Sequence, residues 1–83
     1  MQVDHILDLS GLVCPMPLLK TRQKLTQLTD GERLLVISTD AGSKRDIPAY
    51  LKMSAHTLEQ MSEIPEGGVF HFLIVRSSKA SGC

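Results

Sequence analysis

Tryptophan is absent from this chain, and its aromatic residues are one tyrosine and two phenylalanines. Stacking platforms for single-stranded nucleic acid are therefore poorly supplied. Net charge is lacking as well, because nine Lys and Arg balance nine Asp and Glu. Nucleic-acid and membrane-surface binders usually carry a basic excess, so direct nucleic-acid binding is not expected. No apolar run approaches the ~18 residues of a membrane span. The start, "MQVDHILDLSG", holds two acids and no basic segment, which reads against a signal peptide. The expected location is the cytoplasm. Cysteine is scarce too, with only Cys14 and Cys83. In a reducing compartment such thiols are more often catalytic, metal-binding or inert than bridged.

What is present fits one small domain. The 83 residues are 42% hydrophobic and show no internal repeat. The domain is expected over residues 1–76. The "SSKASGC" end, residues 77–83, reads as a small polar tail.

Residues 3–9 place Val3, Leu7 and Leu9 two apart, which predicts a strand with His5 on its apolar face. Residues 15–29 predict a helix, with Leu18, Leu25 and Leu28 on one stripe and Asp30-Gly31 as its stop. "RLLVIST", residues 33–39, predicts a central strand buried on both faces or nearly so. Residues 44–54 predict a shorter helix. Pro48 suits a first turn, so a late start near Ile47 is expected. Residues 56–63 and 69–76 predict two strands joined at "PEGG". The result is an α+β fold, a two-layer α/β sandwich of order βαβαββ. Its four-stranded mixed sheet carries both helices on one face.

The chemistry concentrates in "GLVCPMPLL". A residue before proline is pushed toward extended backbone, and proline is tolerated at the first helical position. Cys14 is thus expected at the N-cap, with Pro15 at N1. Met16, Leu18 and Leu19 retain amides there; Pro15 and Pro17 have none. Free amides and the helix dipole favour a negative group, so the position favours a thiolate. Cysteine is a poor N-cap beside Ser, Thr, Asp or Asn, which a purely structural position would use. The bland alternative is a small buried hydrophobe.

Redox cycling within the motif needs a second cysteine where Pro17 stands. Zinc needs about four ligands, and His5, His56 and His71 are scattered without ligand spacing. A Cys–His hydrolase would need a base and an oxyanion site that nothing in the sequence supplies. A single thiolate that attacks, holds and passes on a group needs less. Met16 beside it suits a partner contact or helix-start packing.

Open α/β sheets bind ligands at the carboxyl ends of parallel strands. "TDAGSKRDIP", residues 39–48, follows the second strand, so it is expected on the same edge as Cys14. Lys44 and Arg45 would bring positive charge there, with Asp40 and Asp46 to orient them or meet a partner. A solvated helix start is the alternative for Lys44, Arg45 and Asp46. His71 alternates with Phe70 and Phe72 and is given no role.

"LDLSGLVCPMPLLKTRQKL" resembles the signature of the TusA/SirA-like, YedF-related sulfur-carrier family. The hallmark is Cys14-Pro15-Met16-Pro17 after Gly11-Leu12. "TDAGSKRDIPAYLKMSAH" and "FHFLIVR" resemble the family's later segments. The family often has Asp-Pro where this chain has Asp40-Ala41, and Gly-His where it has Ala55-His56. The resemblance implies the two-layer fold and a persulfide carried on Cys14, with no cofactor or metal. It implies a cysteine desulfurase or other sulfur donor, and a downstream sulfur-transfer protein as acceptor. In characterised members one destination is 2-thiouridine in tRNA. A monomer is expected, a carrier rather than a stand-alone multiple-turnover enzyme. Two other functions stay open at this point: a regulatory or interaction module of the same fold, and redox sensing by oxidation of Cys14.

Overall fold

The computed structural model describes residues 3–13, 15–54, 56–64 and 66–77. Four strands form one sheet in the order β1-β2-β4-β3. β1 (His5–Leu9) lies parallel to β2 (Arg33–Ser38), with His5 opposite Leu34 and Leu9 opposite Ser38. β4 (Val69–Val75) is antiparallel to β2, and β3 (Thr57–Ile64) is antiparallel to β4. The first pair needs a long crossover because parallel neighbours cannot be joined by a tight turn. α1 (Met16–Leu25) supplies it, and α2 (Ser43–Met53) links β2 to β3.

The central strand, expected to be buried on both faces or nearly so, is fully buried on one face and half-buried on the other. In β2, Leu34, Val36 and Ser38 are buried, while Arg33, Leu35 and Ile37 are half-buried. Phe70, Phe72 and Ile74 of β4 join Leu34 and Val36 beneath both helices, which contribute Leu25, Ile47 and Leu51. Each such side chain stabilises the fold by about 1.5–3 kcal/mol on leaving water. The helices therefore share one face of the sheet, as the patterning implied. Among the described residues no helix is long and apolar enough to cross a membrane.

Strand bounds fall within two residues of expectation, and three features depart further from it or were not expected. The helix predicted over 15–29 spans only Met16–Leu25. Beyond it the chain tightens into turns, with the Gln27 N–H bonded to the Lys24 carbonyl and the Leu28 N–H to the Leu25 carbonyl. Arg76 explains the stop. Its Nε donates at 2.7 Å to the same Leu25 carbonyl, a second donor to an acceptor that has left the regular helical ladder. Leu28 still reaches the core.

Second, α2 starts at Ser43 rather than near Ile47, so Pro48 lies inside it. The first turn is closed independently of Pro48. The Ser43, Lys44 and Arg45 amides bond to the Asp40, Ala41 and Gly42 carbonyls. The buried Ser43 hydroxyl donates to the Asp40 carbonyl at 2.6 Å and lies 2.9 Å from Ser38 Oγ. Pro48 then removes a single ladder donor, which this local network outweighs.

Third, β3 carries a bulge between Leu58 and Gln60, which leaves Glu59 free to reach back. Arg33 of β2 bonds to Glu59 at 3.1 Å across the intervening β4. Leu73 of β4, which faces away from the helices, is 3% exposed. His71 shares that face, opposite Phe70 and Phe72, and is half-buried.

Histidine and acid at the other end of β1 fasten the crossover. His5 Nε2 lies 3.0 Å from Glu32 Oε2, and Glu32 Oε1 accepts the Thr29 N–H at 2.7 Å. The Thr29 amide, with His5 next, holds the Glu32 carboxyl down at about 2 against an ordinary 4.5. A carboxyl depressed on folding stabilises the fold above its ordinary value and loses that contribution as acid protonates it. The melting temperature of the wild-type chain should fall as pH drops from 4.5 toward about 2. Glu32→Gln should flatten that part of the profile, as followed by circular dichroism melts. An unchanged slope would contradict the assignment.

Candidate functional site

The site is built where β1 and β2 end. Asp8, the penultimate residue of β1, turns the chain outward. Its Oδ1 accepts the Ser10 N–H at 3.0 Å and the Ser10 hydroxyl at 2.6 Å. The Ser10 hydroxyl, then its amide, holds the Asp8 carboxyl below its usual range. Leu12 donates its N–H to the Leu9 carbonyl at 3.1 Å, and Gly11 between them has φ +86°. A side chain resists that backbone region, so the glycine is required there. Gly11 donates its N–H to Thr39 Oγ1 at 2.8 Å, across 28 residues of sequence. That bond joins the loop after β1 to the loop after β2. The two loops share the carboxyl edge of the parallel pair, as the sequence implied.

Cys14 lies outside the described residues, as does Cys83 with residues 78–83. Met16 donates its N–H to the Val13 carbonyl at 2.9 Å, and Leu19 donates to the Pro15 carbonyl at 3.1 Å. The first ladder bond thus begins at Pro15, which is the N-cap, with φ −95° and ψ 10°. This corrects the frame by one residue: Pro15 is not N1, Cys14 precedes the cap, and Pro17 stands at N2. Two of the three amides expected to face an anion, those of Met16 and Leu19, already have carbonyl partners. Pro17 is buried, and the buried Thr21 hydroxyl donates to its carbonyl at 2.8 Å. Pro17 is thus packed into the first turn of α1, whereas Pro15 stands exposed at its cap.

The facing loop holds its charges close. Lys44 Nζ lies 3.0 Å from Glu63 Oε1 on β3, and Arg45 Nε lies 3.6 Å from Asp46 Oδ1. Both cations thus have a carboxylate nearby. Arg45 is almost fully exposed, whereas Asp40 and Asp46 are half-buried. Of the histidines, His56 is buried and its Nδ1 accepts the Ser77 N–H at 3.1 Å. Burial, then nearby Arg76, pushes its pKa down. The lowered pKa favours the neutral ring, which suits Nδ1 as an acceptor. Among the described residues no three His, Cys, Asp or Glu side chains gather as a metal site.

Val13, Met16 and Leu19 form an exposed apolar rim along the start of α1. Met16 and Leu19 continue into a groove of about 420 Å³ between the helices, walled by Lys20, Arg22, Gln23, Thr26 and Tyr50. The Arg22 guanidinium stands over the Tyr50 ring, 5.6 Å from its centroid, within cation–π range. α1 carries Lys20, Arg22 and Lys24 and no acid. The sequence reading missed Leu19, Arg22 and Tyr50. Met16, Leu19 and Gln23 are spaced three and four apart, which marks a second helix face outside the core stripe. Thr39 left no signal in the sequence at all.

Residue Gly11 offers a direct check on this loop. A Cβ added there meets nothing within 4 Å, so only the backbone resists. Gly11→Ala should cost about 1–2 kcal/mol through left-handed strain alone, read as a lower urea midpoint. No loss of stability would mean that the loop does not hold the positive φ.

The chain matches a model of the family described as "Sulfurtransferase TusA" over residues 5–76. It is 45% identical over 74 residues to the sulfur carrier protein TusA of Allochromatium vinosum, covering 89% of this chain and 95% of that protein. It is 38% identical over 74 residues to the putative sulfur carrier protein YrkI of Bacillus subtilis, covering 89% of this chain and 96% of that one. The crystal structure of the SirA-like protein of Desulfitobacterium hafniense superposes with a TM-score of 0.75. Its sequence identity is 21%, and the match covers 89% of this chain and 99% of that one. That likeness is one of fold.

Proposed function

The chain belongs to the TusA sulfurtransferase family, and from that premise we propose that it is a sulfur carrier holding sulfane sulfur as a persulfide on Cys14. The observation that carries this reading is the Cys-Pro-x-Pro segment itself, in a chain that matches the sulfur carrier protein TusA of Allochromatium vinosum over 89% of its length. The Cys14 thiolate attacks the terminal sulfur of a donor persulfide. A bond forms between Cys14 Sγ and that sulfur as the donor's own S–S bond breaks. The donor leaves as a thiolate, the proton stays on the transferred sulfur, and no net oxidation occurs. The second transfer repeats the step, with Cys14 as the leaving thiolate and an acceptor thiol as the nucleophile.

The donor in this reading is a cysteine desulfurase or another persulfide-bearing protein, and the acceptor is a further sulfur-transfer protein. Both must bring a sulfur atom to the same edge, so they use the same approach in turn. The apolar rim of Val13, Met16 and Leu19 supports such a contact, since partner surfaces centre on apolar anchors within a polar ring. Arg22 and Lys20 beside it favour an acidic surface on the donor.

Two experiments bear on this. Incubation with a cysteine desulfurase, pyridoxal phosphate and cysteine should add one sulfur atom to the intact mass, and Cys14→Ser should gain none. A wild-type chain that gains nothing, or an equal gain on Cys14→Ser, would sink the carrier reading. For the docking surface, Arg22→Glu should lower the rate of loading by about tenfold, the worth of ~1.4 kcal/mol of lost charge complementarity. Its Cys14 should still alkylate with iodoacetamide at the wild-type rate. Loading of Arg22→Glu at the wild-type rate would rule out this face as the donor's approach.

A further inference from the structure

Thr39 stands just beyond β2, exposed, in no helix or strand. The β1–β2 ladder ends where Leu9 meets Ser38. One step further, the backbones no longer pair, and the Thr39 side chain takes over by accepting the Gly11 N–H at 2.8 Å. Gly11 lies three residues before Cys14. Among the described residues, the other hydrogen bonds nearby, from Ser10 to Asp8, Leu12 N–H to Leu9 and Met16 N–H to Val13, are short-range turns, and Leu12 packs against the core. They shape the segment from within. Thr39 adds a long-range polar tie, from the loop after β2 to the backbone that leads into Cys14.

We propose that Thr39 is a positioning residue for sulfur transfer, acting through the Gly11 amide to orient the loop that presents Cys14. This rests on the carrier reading. Displacement at sulfur requires the attacking thiolate to line up with the S–S bond it breaks, and small misplacements of a reacting group lower rates steeply. A hydroxyl suits the task because it accepts without adding charge. Asp8 already brings a carboxylate to this edge, so a neutral acceptor adds no further charge against a thiolate there, and serine should serve as well as threonine.

The test compares the wild type with Thr39→Val, which keeps the branched shape and removes the acceptor, and with Thr39→Ser, which restores it. Iodoacetamide labelling is followed across pH by mass spectrometry of tryptic peptides. Cys14 falls in the peptide ending at Lys20, and Cys83 in the one after Lys79, so Cys83 is an internal control. Thr39→Val should label Cys14 about threefold or more slowly at neutral pH, with a displaced pH profile, since thiol reactivity follows its thiolate fraction and access. Sulfur loading should fall with it, Cys83 labelling should not change, and Thr39→Ser should restore both Cys14 readouts. A wild-type profile in Thr39→Val, or the same loss in Thr39→Ser, overturns the proposal. Should Thr39→Val fail to fold, hydrogen exchange at the Gly11 amide of the wild type decides: slowed exchange upholds the tether, and exchange at the unprotected rate overturns it. A wild-type chain that labels as stated yet accepts no sulfur ends the carrier reading, while the labelling comparison still judges Thr39.

Discussion

Parallel pairing of β1 with β2 is the constraint from which the rest of this molecule follows. It brings two loops from distant parts of the chain to one edge of the sheet, and places the starts of both helices there. A thiol-bearing segment on one loop then has a second loop as its neighbour. The pairing is secured at both ends. His5 and Glu32 close the far end, and Gly11 and Thr39 close the near one. Between them the core of Leu34, Val36, Phe72 and the helix residues fixes the register, because a one-residue slip would turn every buried side chain outward.

A carrier of this size has little core to spare, and its construction reflects that. Polar groups that enter the interior arrive with partners. Thr21 bonds to the Pro17 carbonyl, and Ser43 meets Ser38 and the Asp40 carbonyl. Among the described residues, no buried side-chain nitrogen or oxygen lacks a partner. These small hydroxyl bonds cluster where the two helices begin, beneath the functional edge. The polar groups below this edge are thus satisfied within the fold, while Val13, Met16 and Leu19 stay exposed above them.

Much of this was legible in the residues. The apolar runs at residues 33–39 and 69–76 announced the two central strands, and the order βαβαββ followed from spacing and turns, but the run at 33–39 did not show which face would be fully buried. The Cys-Pro-x-Pro segment announced the site. What escaped was decided by bonds between residues far apart in sequence. Arg76 stops α1 at Leu25 from 51 residues away, and Thr39 holds Gly11 across 28. Neither leaves a local pattern. Pro48 misled because the cost of a lost ladder donor was visible, whereas the Ser43 network that offsets it was not. Pro15 misled by one place for a similar reason: proline suits N1 in general, but here the bond between Leu19 and the Pro15 carbonyl puts it at the cap. Lys44 and Arg45 were read as charge for the thiol. The structure gives each a carboxylate neighbour, which tempers that charge.

The central claim is that this edge passes sulfur on rather than merely acquiring it. A chase experiment tests that directly. The chain is loaded with isotopically labelled sulfane sulfur, freed of donor, and mixed with an acceptor protein that bears a reactive thiol. The label should leave Cys14 and appear on the acceptor in equal amount, returning the carrier to its unloaded mass. Label that stays on Cys14, or that is released only as free sulfide, would contradict the account.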